Sequence, residues 1–142
     1  MEKVIIIRYS EIYLKGKNRG FFEHALENNV HRALSGMEYE FVKQSGRYFV
    51  RKFDEMQTEL FLEKLKKVFG VHTLSVALET QSDMDSVFEA AKLVSRESGS
   101  FKVESHRGDK KYPLTSMEIS RELGGRLLEW SKGVLRVDVH EP

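Results

Sequence analysis

Residues 38–52 read EYEFVKQSGRYFVRK, and the reading of this stretch decides the fold. Tyr39 and Phe41 share one face of a strand over Glu38–Lys43. Tyr48 and Val50 share one face of a second strand over Arg47–Lys52, with Arg47, Phe49 and Arg51 on the other. Alternation with period two is the mark of a strand half-buried on a sheet. Gln44, Ser45 and Gly46 form a short glycine-containing turn between them, so the two strands make a hairpin.

Helical patterns flank the hairpin on both sides. Before it, Phe22, Leu26, Val30 and Ala33 recur at helical spacing in a segment predicted from Phe21 to Leu34, which Ser35 and Gly36 end. After it, Asp54 is positioned to cap a helix with Gln57 completing a box-like pair. Phe61, Leu65 and Val68 form its apolar stripe and Gly70 its left-handed stop. Farther out lie two more strands. Lys3–Tyr9 is nearly all apolar, suited to a central strand buried on both faces, and Val71–Glu79 alternates Leu74, Val76 and Leu78 with polar or small residues. The order βαββαβ predicts an α+β, ferredoxin-like domain over residues 1–79.

Residues 80–142 read differently. Thr80, Gln81 and Ser82 form a polar connector, and Ser82 or Asp83 caps a helix carrying Met84, Val87, Ala91 and Val94, stopped at Gly99. Phe101, Val103 and Ser105 then alternate with Lys102, Glu104 and His106 as a strand. A basic loop follows, with Arg107, Lys110 and Lys111. Thr115 and Glu118, three apart, predict a capping box at the start of the next helix. Ile119, Leu123, Leu127 and Trp130 share that helix's face, Gly124 and Gly125 allow close backbone approach, and Gly133 ends it. Val134–His140 is predicted as a strand. This αβαβ unit is thin for a domain, and the expectation is an incomplete α/β domain of a longer protein.

Composition narrows the function classes. The chain has 142 residues, with 23 Lys+Arg against 22 Asp+Glu, so overall charge does not announce a polyanion binder and only local clustering can. It has no cysteine, which removes disulfides, thiolate metal sites and cysteine catalysis. No apolar run is long enough for a membrane span, so a cytoplasmic protein is expected. The five histidines are scattered without metal-ligand spacing, no phosphate-binding glycine loop is present, and Glu11 stands alone as a carboxylate beside basic residues. No catalytic, cofactor or metal residue is predicted.

The cations fall into three clusters: Arg8, Lys15, Lys17 and Arg19; Lys43, Arg47, Arg51 and Lys52; and Arg107, Lys110 and Lys111. The third stands just before a helix N-terminus, whose free N–H groups favour an anion. With acids such as Glu38, Glu40, Asp54, Glu55, Glu59 and Glu63 gathered on another face, these clusters would form a basic groove for RNA phosphates. Tyr9, Tyr48 or Tyr112 would be available for stacking, although core packing is the stronger expectation for Tyr48. A protein-docking or regulatory ferredoxin-like module is the competing class.

Two stretches carry a resemblance. Arg8-Tyr9-Ser10-Glu11, Leu14-Lys15-Gly16-Lys17-Asn18-Arg19 and Phe22-Glu23 resemble the opening of tRNA 4-thiouridine synthetases, also called tRNA sulfurtransferases. Phe101-Lys102-Val103 with residues 106–116, HRGDKKYPLTS, resembles the central motif of a THUMP domain, a module also found in other RNA-modifying enzymes. The chain departs from the first pattern at Ser10, where the family usually has glycine. The resemblance implies that this chain is the tRNA-binding, non-catalytic amino-terminal region of such an enzyme, a ferredoxin-like domain followed by most of a THUMP domain. On that footing Arg107, Lys110, Lys111 and Ser116 would hold the acceptor 3′ end, and Lys15, Lys17 and Arg19 would extend the track along the stem. It further implies a downstream ATP-using domain that thiolates uridine, a sulfur-donor protein as partner, and in some bacteria a link to thiamine thiazole synthesis. Homodimerisation is left open.

Overall fold

A computed structural model describes residues 1–9, 19–44, 46–95, 99–106, 108, 111–132 and 134–140. The chain forms two units, Met1–Glu79 and Thr80–Pro142. In the first, strand β1 (Glu2–Tyr9) is followed by helix α1 (Arg19–Ala33), strands β2 (Glu40–Gln44) and β3 (Arg47–Arg51), helix α2 (Thr58–Lys66) and strand β4 (Val71–Glu79). The sheet order is β2-β3-β1-β4 with every neighbouring pair antiparallel. This is the split arrangement of a ferredoxin-like fold, with the most apolar strand at the centre.

The two faces of this sheet differ. Ile5, Ile7, Tyr48 and Val50 are buried against Leu26, Val30 and Leu34 from α1 and its end, and against Phe61 and Leu65 of α2. Such side chains contribute roughly 1.5–3 kcal/mol each when fully buried. Phe53 meets Phe61 with ring centroids 4.9 Å apart, closing the core at the far end of β3. The Tyr48 hydroxyl donates to the Glu23 carbonyl across 3.1 Å, so its one polar group is satisfied inside the core. Burial first, then the neighbouring Tyr9, Glu23 and Glu27, pushes its acidity constant well above the ordinary tyrosine value.

Local details modify the expected boundaries. α1 starts two residues earlier and ends one earlier than the periodicity predicts. Asp54 does cap the next segment, but its carboxylate accepts from the Met56 N–H in a 3₁₀ turn, Glu55–Gln57, that precedes α2. Gln57 makes no side-chain capping bond, so the expected box is not formed. α2 already ends at Lys66, with Lys67 still right-handed as its cap, so Gly70 is not the predicted helix stop; its φ of 98° turns the chain into β4 instead.

The second unit runs α3 (Met84–Val94), β5 (Gly99–Phe101), α4 (Ser116–Ser131), β6 (Leu135–Val137), with β5 and β6 parallel. Both strands are shorter than predicted. Residues 102–106 are not strand, and beyond β6 the Asp138 carboxylate turns back to accept from the His140 N–H at 3.0 Å, a local turn that ends the extended run. The Asp138 N–H still donates to the Phe101 carbonyl at 2.8 Å, which adds one rung to the ladder. α3 stops at Val94 rather than at Gly99, and Gly99 opens β5 with a φ of 111°. On α4, Leu123 and Leu127 are buried but Trp130 remains 44% exposed, so the predicted apolar stripe is cut short. Gly124 approaches Val103, whereas Gly125 faces open space, contrary to the close approach expected there. Lys132 takes the left-handed conformation at the end of α4, φ 53°; the predicted terminator, Gly133, lies outside the described residues.

Phe61 makes the sharpest test of this core. Phe61→Ala is expected to destabilise the first unit by about 3–5 kcal/mol, read from urea denaturation of the chain.

Candidate nucleic-acid interface

The N-terminus of α4 is built as the Thr-x-x-Glu spacing predicts. The Thr115 hydroxyl accepts from the Glu118 N–H, and the Glu118 carboxylate accepts from the Thr115 N–H, each at 3.2 Å. Two of the orphan donors of this helix end are thereby satisfied, which leaves the N–H groups of Ser116 and Met117 without an intrahelical acceptor. Any anion seat here is therefore two N–H groups wide and shares the helix end with the Glu118 carboxylate. Behind it the Ser105 and Ser120 hydroxyls lie 2.8 Å apart, tying the segment after β5 to the second turn of α4. The Tyr112 hydroxyl donates to the Ser82 carbonyl, which anchors the end of the basic loop to the start of α3. Ser82, Met84, Val87, His106, Gly108, Tyr112 and Ile119 line a cavity of about 270 Å³ at this corner.

Of the predicted RNA-binding residues, Lys111 is exposed beside this cavity's Tyr112 and Ser116 sits at the first position of α4. Arg19 opens α1 and pairs with Glu23 across 2.9 Å. Lys15, Lys17, Arg107 and Lys110 lie outside the described residues.

Among the described residues of the second basic cluster, most cations are paired with carboxylates. Lys43 pairs with Glu27 at 3.0 Å, Lys52 with Glu40 at 3.2 Å, and Arg51 with Glu79 and, at 3.7 Å, with Glu40. Glu40 therefore sits within the second basic cluster rather than on a separate acidic face, because strand pairing sets it directly opposite Arg51. Arg47 is exposed and meets no carboxylate among the described residues. The Arg8 guanidinium donates to the neutral Ser75 hydroxyl at 3.0 Å. These two arginines face each other in the β1–β3 register, and two rungs along Ile6 faces Phe49. Period-two alternation set Arg47 and Phe49 on one face of their strand, but which β1 residues stand beside them required the register.

The aromatic candidates for stacking are mostly committed. Tyr9 packs on Tyr48 with centroids 5.0 Å apart, and Tyr48 is in the core. Tyr112 is half-buried and lines the cavity. His31 shares a short hydrogen bond of 2.6 Å with the Tyr39 hydroxyl and packs on Phe41. Among the described residues no three His, Cys, Asp or Glu side chains come together as a metal cluster, and no helix is long and apolar enough to cross a membrane.

Comparison with known proteins bears on what this surface serves. The family described as the ThiI ferredoxin-like domain matches residues 4–75, and the THUMP domain family matches residues 81–142. The chain belongs to the ThiI family. Its ThiI ferredoxin-like and THUMP regions are together 39% identical to a probable tRNA sulfurtransferase of Clostridium acetobutylicum and 43% identical to one of Alkaliphilus oremlandii. Each match covers the whole chain but only 37% and 38%, respectively, of the relative. Among solved structures, a 4-thiouridine synthetase–RNA complex with bound ATP superposes with a TM-score of 0.81 at 37% identity, over all of this chain and 36% of that one. A protein of Pyrococcus horikoshii superposes with a TM-score of 0.77 at 29% identity, over 99% of this chain and 48% of that one.

The capping box of the THUMP region is directly testable. Thr115→Ala is expected to cost about 1 kcal/mol in the second unit, with Thr115→Ser retaining most of it, as measured by denaturation.

Proposed function

We propose that this chain is the tRNA-holding region of a tRNA sulfurtransferase, presenting the acceptor stem and 3′ end to a thiolating domain elsewhere in the enzyme. The observation that carries the reading is the superposition of this whole chain on part of a 4-thiouridine synthetase in complex with RNA. The chemistry of the site supports it. Lys111 and the N–H groups of Ser116 and Met117 supply cationic and dipolar donors, and the sequence adds Arg107 and Lys110 to the same loop. Such donors neutralise phosphates without reading bases, which suits a module that positions a substrate. Lys15, Lys17 and Arg19 extend the cationic track along the stem. ATP and the sulfur donor belong to the remainder of such an enzyme, and thiamine thiazole synthesis would draw on the same sulfur supply.

The test is a tRNA-binding titration at several salt concentrations. Binding is expected to weaken steeply with salt, and Lys110→Glu/Lys111→Glu to lower affinity at least tenfold and flatten the salt slope by about one for each phosphate no longer neutralised. Removal of the single-stranded 3′ end is expected to weaken wild type more than this variant. A folded variant that binds as wild type would take the loop out of the mechanism.

A further inference from the structure

The sheet of the first unit carries both its helices on one face. The opposite face is formed by register-matched rows whose composition changes along the strands. At one end Glu40 pairs with Arg51 and Val4 with Ala77, and Arg51 is neutralised by Glu40 and Glu79. The middle row is Val42, Phe49, Ile6 and Ser75, half-buried and largely apolar. The other end is Gln44, Arg47, Arg8 and Thr73, a row with two cations and no carboxylate.

Like charges directly opposite on neighbouring strands sit with their β-carbons roughly 4.5–5.5 Å apart and destabilise the pairing. Every other cation of the second basic cluster has a carboxylate partner. Among the described residues Arg47 has none, and Arg8 has only the Ser75 hydroxyl. The Arg8 guanidinium reaches Ser75 on β4, across β1 from Arg47, so an anion held by both arginines lies over β1 at this end of the sheet, and the planar fork of arginine matches the oxygens of a phosphate. In the adjacent row the Phe49 ring lies on the central part of the sheet with Ile6 and Val42 beside it. A cationic pair next to an aromatic platform is the combination that holds a single-stranded nucleotide, phosphate on the charges and base on the ring. An acidic peptide would satisfy the arginines but leave Phe49 unused.

We propose that this face seats an unpaired nucleotide of single-stranded RNA, its phosphate between Arg8 and Arg47 and its base on Phe49. The inference rests on the RNA-binding reading above and extends it to a face of the ferredoxin-like unit remote in sequence from the Lys110–Lys111 loop. A duplex, whose bases are stacked on one another, cannot use the Phe49 platform.

The experiment measures binding of the chain to a short fluorescent oligoadenylate, free or annealed to its complement, at several salt concentrations. Arg8→Gln/Arg47→Gln is expected to weaken single-strand binding about tenfold or more and to lower the salt slope by about 0.7 for each arginine. Phe49→Ala is expected to weaken the single strand about tenfold with little effect on the duplex, and Phe49→Tyr, which keeps a ring, to bind as wild type. Phe49→Leu replaces Phe49→Ala if the latter melts early. Lys110→Glu/Lys111→Glu serves as the reference for the loop. If that loop variant loses binding while the sheet variants keep wild-type affinity and slope, the sheet-face seat is wrong and the tRNA-holding reading stands. Failure of the wild-type chain to bind any RNA at low salt removes both. Equal losses for single strand and duplex, or competition by oligoglutamate as effective as by oligoadenylate, overturn the nucleotide seat in favour of simple charge attraction.

Discussion

Everything in the first unit depends on β1 being paired along both its edges. It has antiparallel ladders to β3 and β4, and its Ile5 and Ile7 are fully buried under the two helices. A strand in that position must satisfy its backbone on both sides and offer apolar side chains to the helices, which is why the isoleucine run stands here and not at an edge. Because both helices cover the same face, the other is left to whatever the register assembles. The core thus decides, indirectly, where the arginines of β1 and β3 meet.

Charge is distributed unevenly as a result. Toward the Glu79 end of the sheet, the cation of β3 is held by carboxylates of two other strands, and exposed pairs of this kind contribute little to stability. Toward the Arg8 end, no carboxylate faces the sheet's two arginines among the described residues. In the second unit Asp85 of α3 and Glu122 of α4 converge on one cation. Arg126 reaches Asp85 and Glu122 at 2.8 Å each and lies over the Phe88 ring at 5.9 Å. That cation is therefore structural, and Lys111 and Met117 are exposed.

The fold of the first unit was legible because its signals are local. The period-two runs of the hairpin and the stripe of α2 each announce themselves within a dozen residues. The second unit was less legible for a physical reason. A strand extends only as far as a partner pairs with it, and the alternation in residues 102–106 and 138–140 has no ladder to join beyond β5 and β6. Trp130 fits a helical stripe by spacing, but burial is decided by what packs against the helix. The capping box at Thr115 could be read from two residues. The neutralisation of Arg51 could not, since Glu40 and Glu79 come to it through the sheet from distant parts of the chain.

The pairing of the first strand with the last also governs the order in which this unit can be made. Glu2 lies opposite Glu79 in the β1–β4 ladder, whereas the β2–β3 hairpin closes across the few residues from Gln44 to Arg47. As the chain leaves the ribosome, the hairpin can form at once, but the most apolar strand emerges first and waits for partners on both edges. Its β4 ladder is complete only after residue 79 has been released. Until then the isoleucines of β1 are an adhesive edge, covered early by α1 at best, and the unit closes late and as a whole.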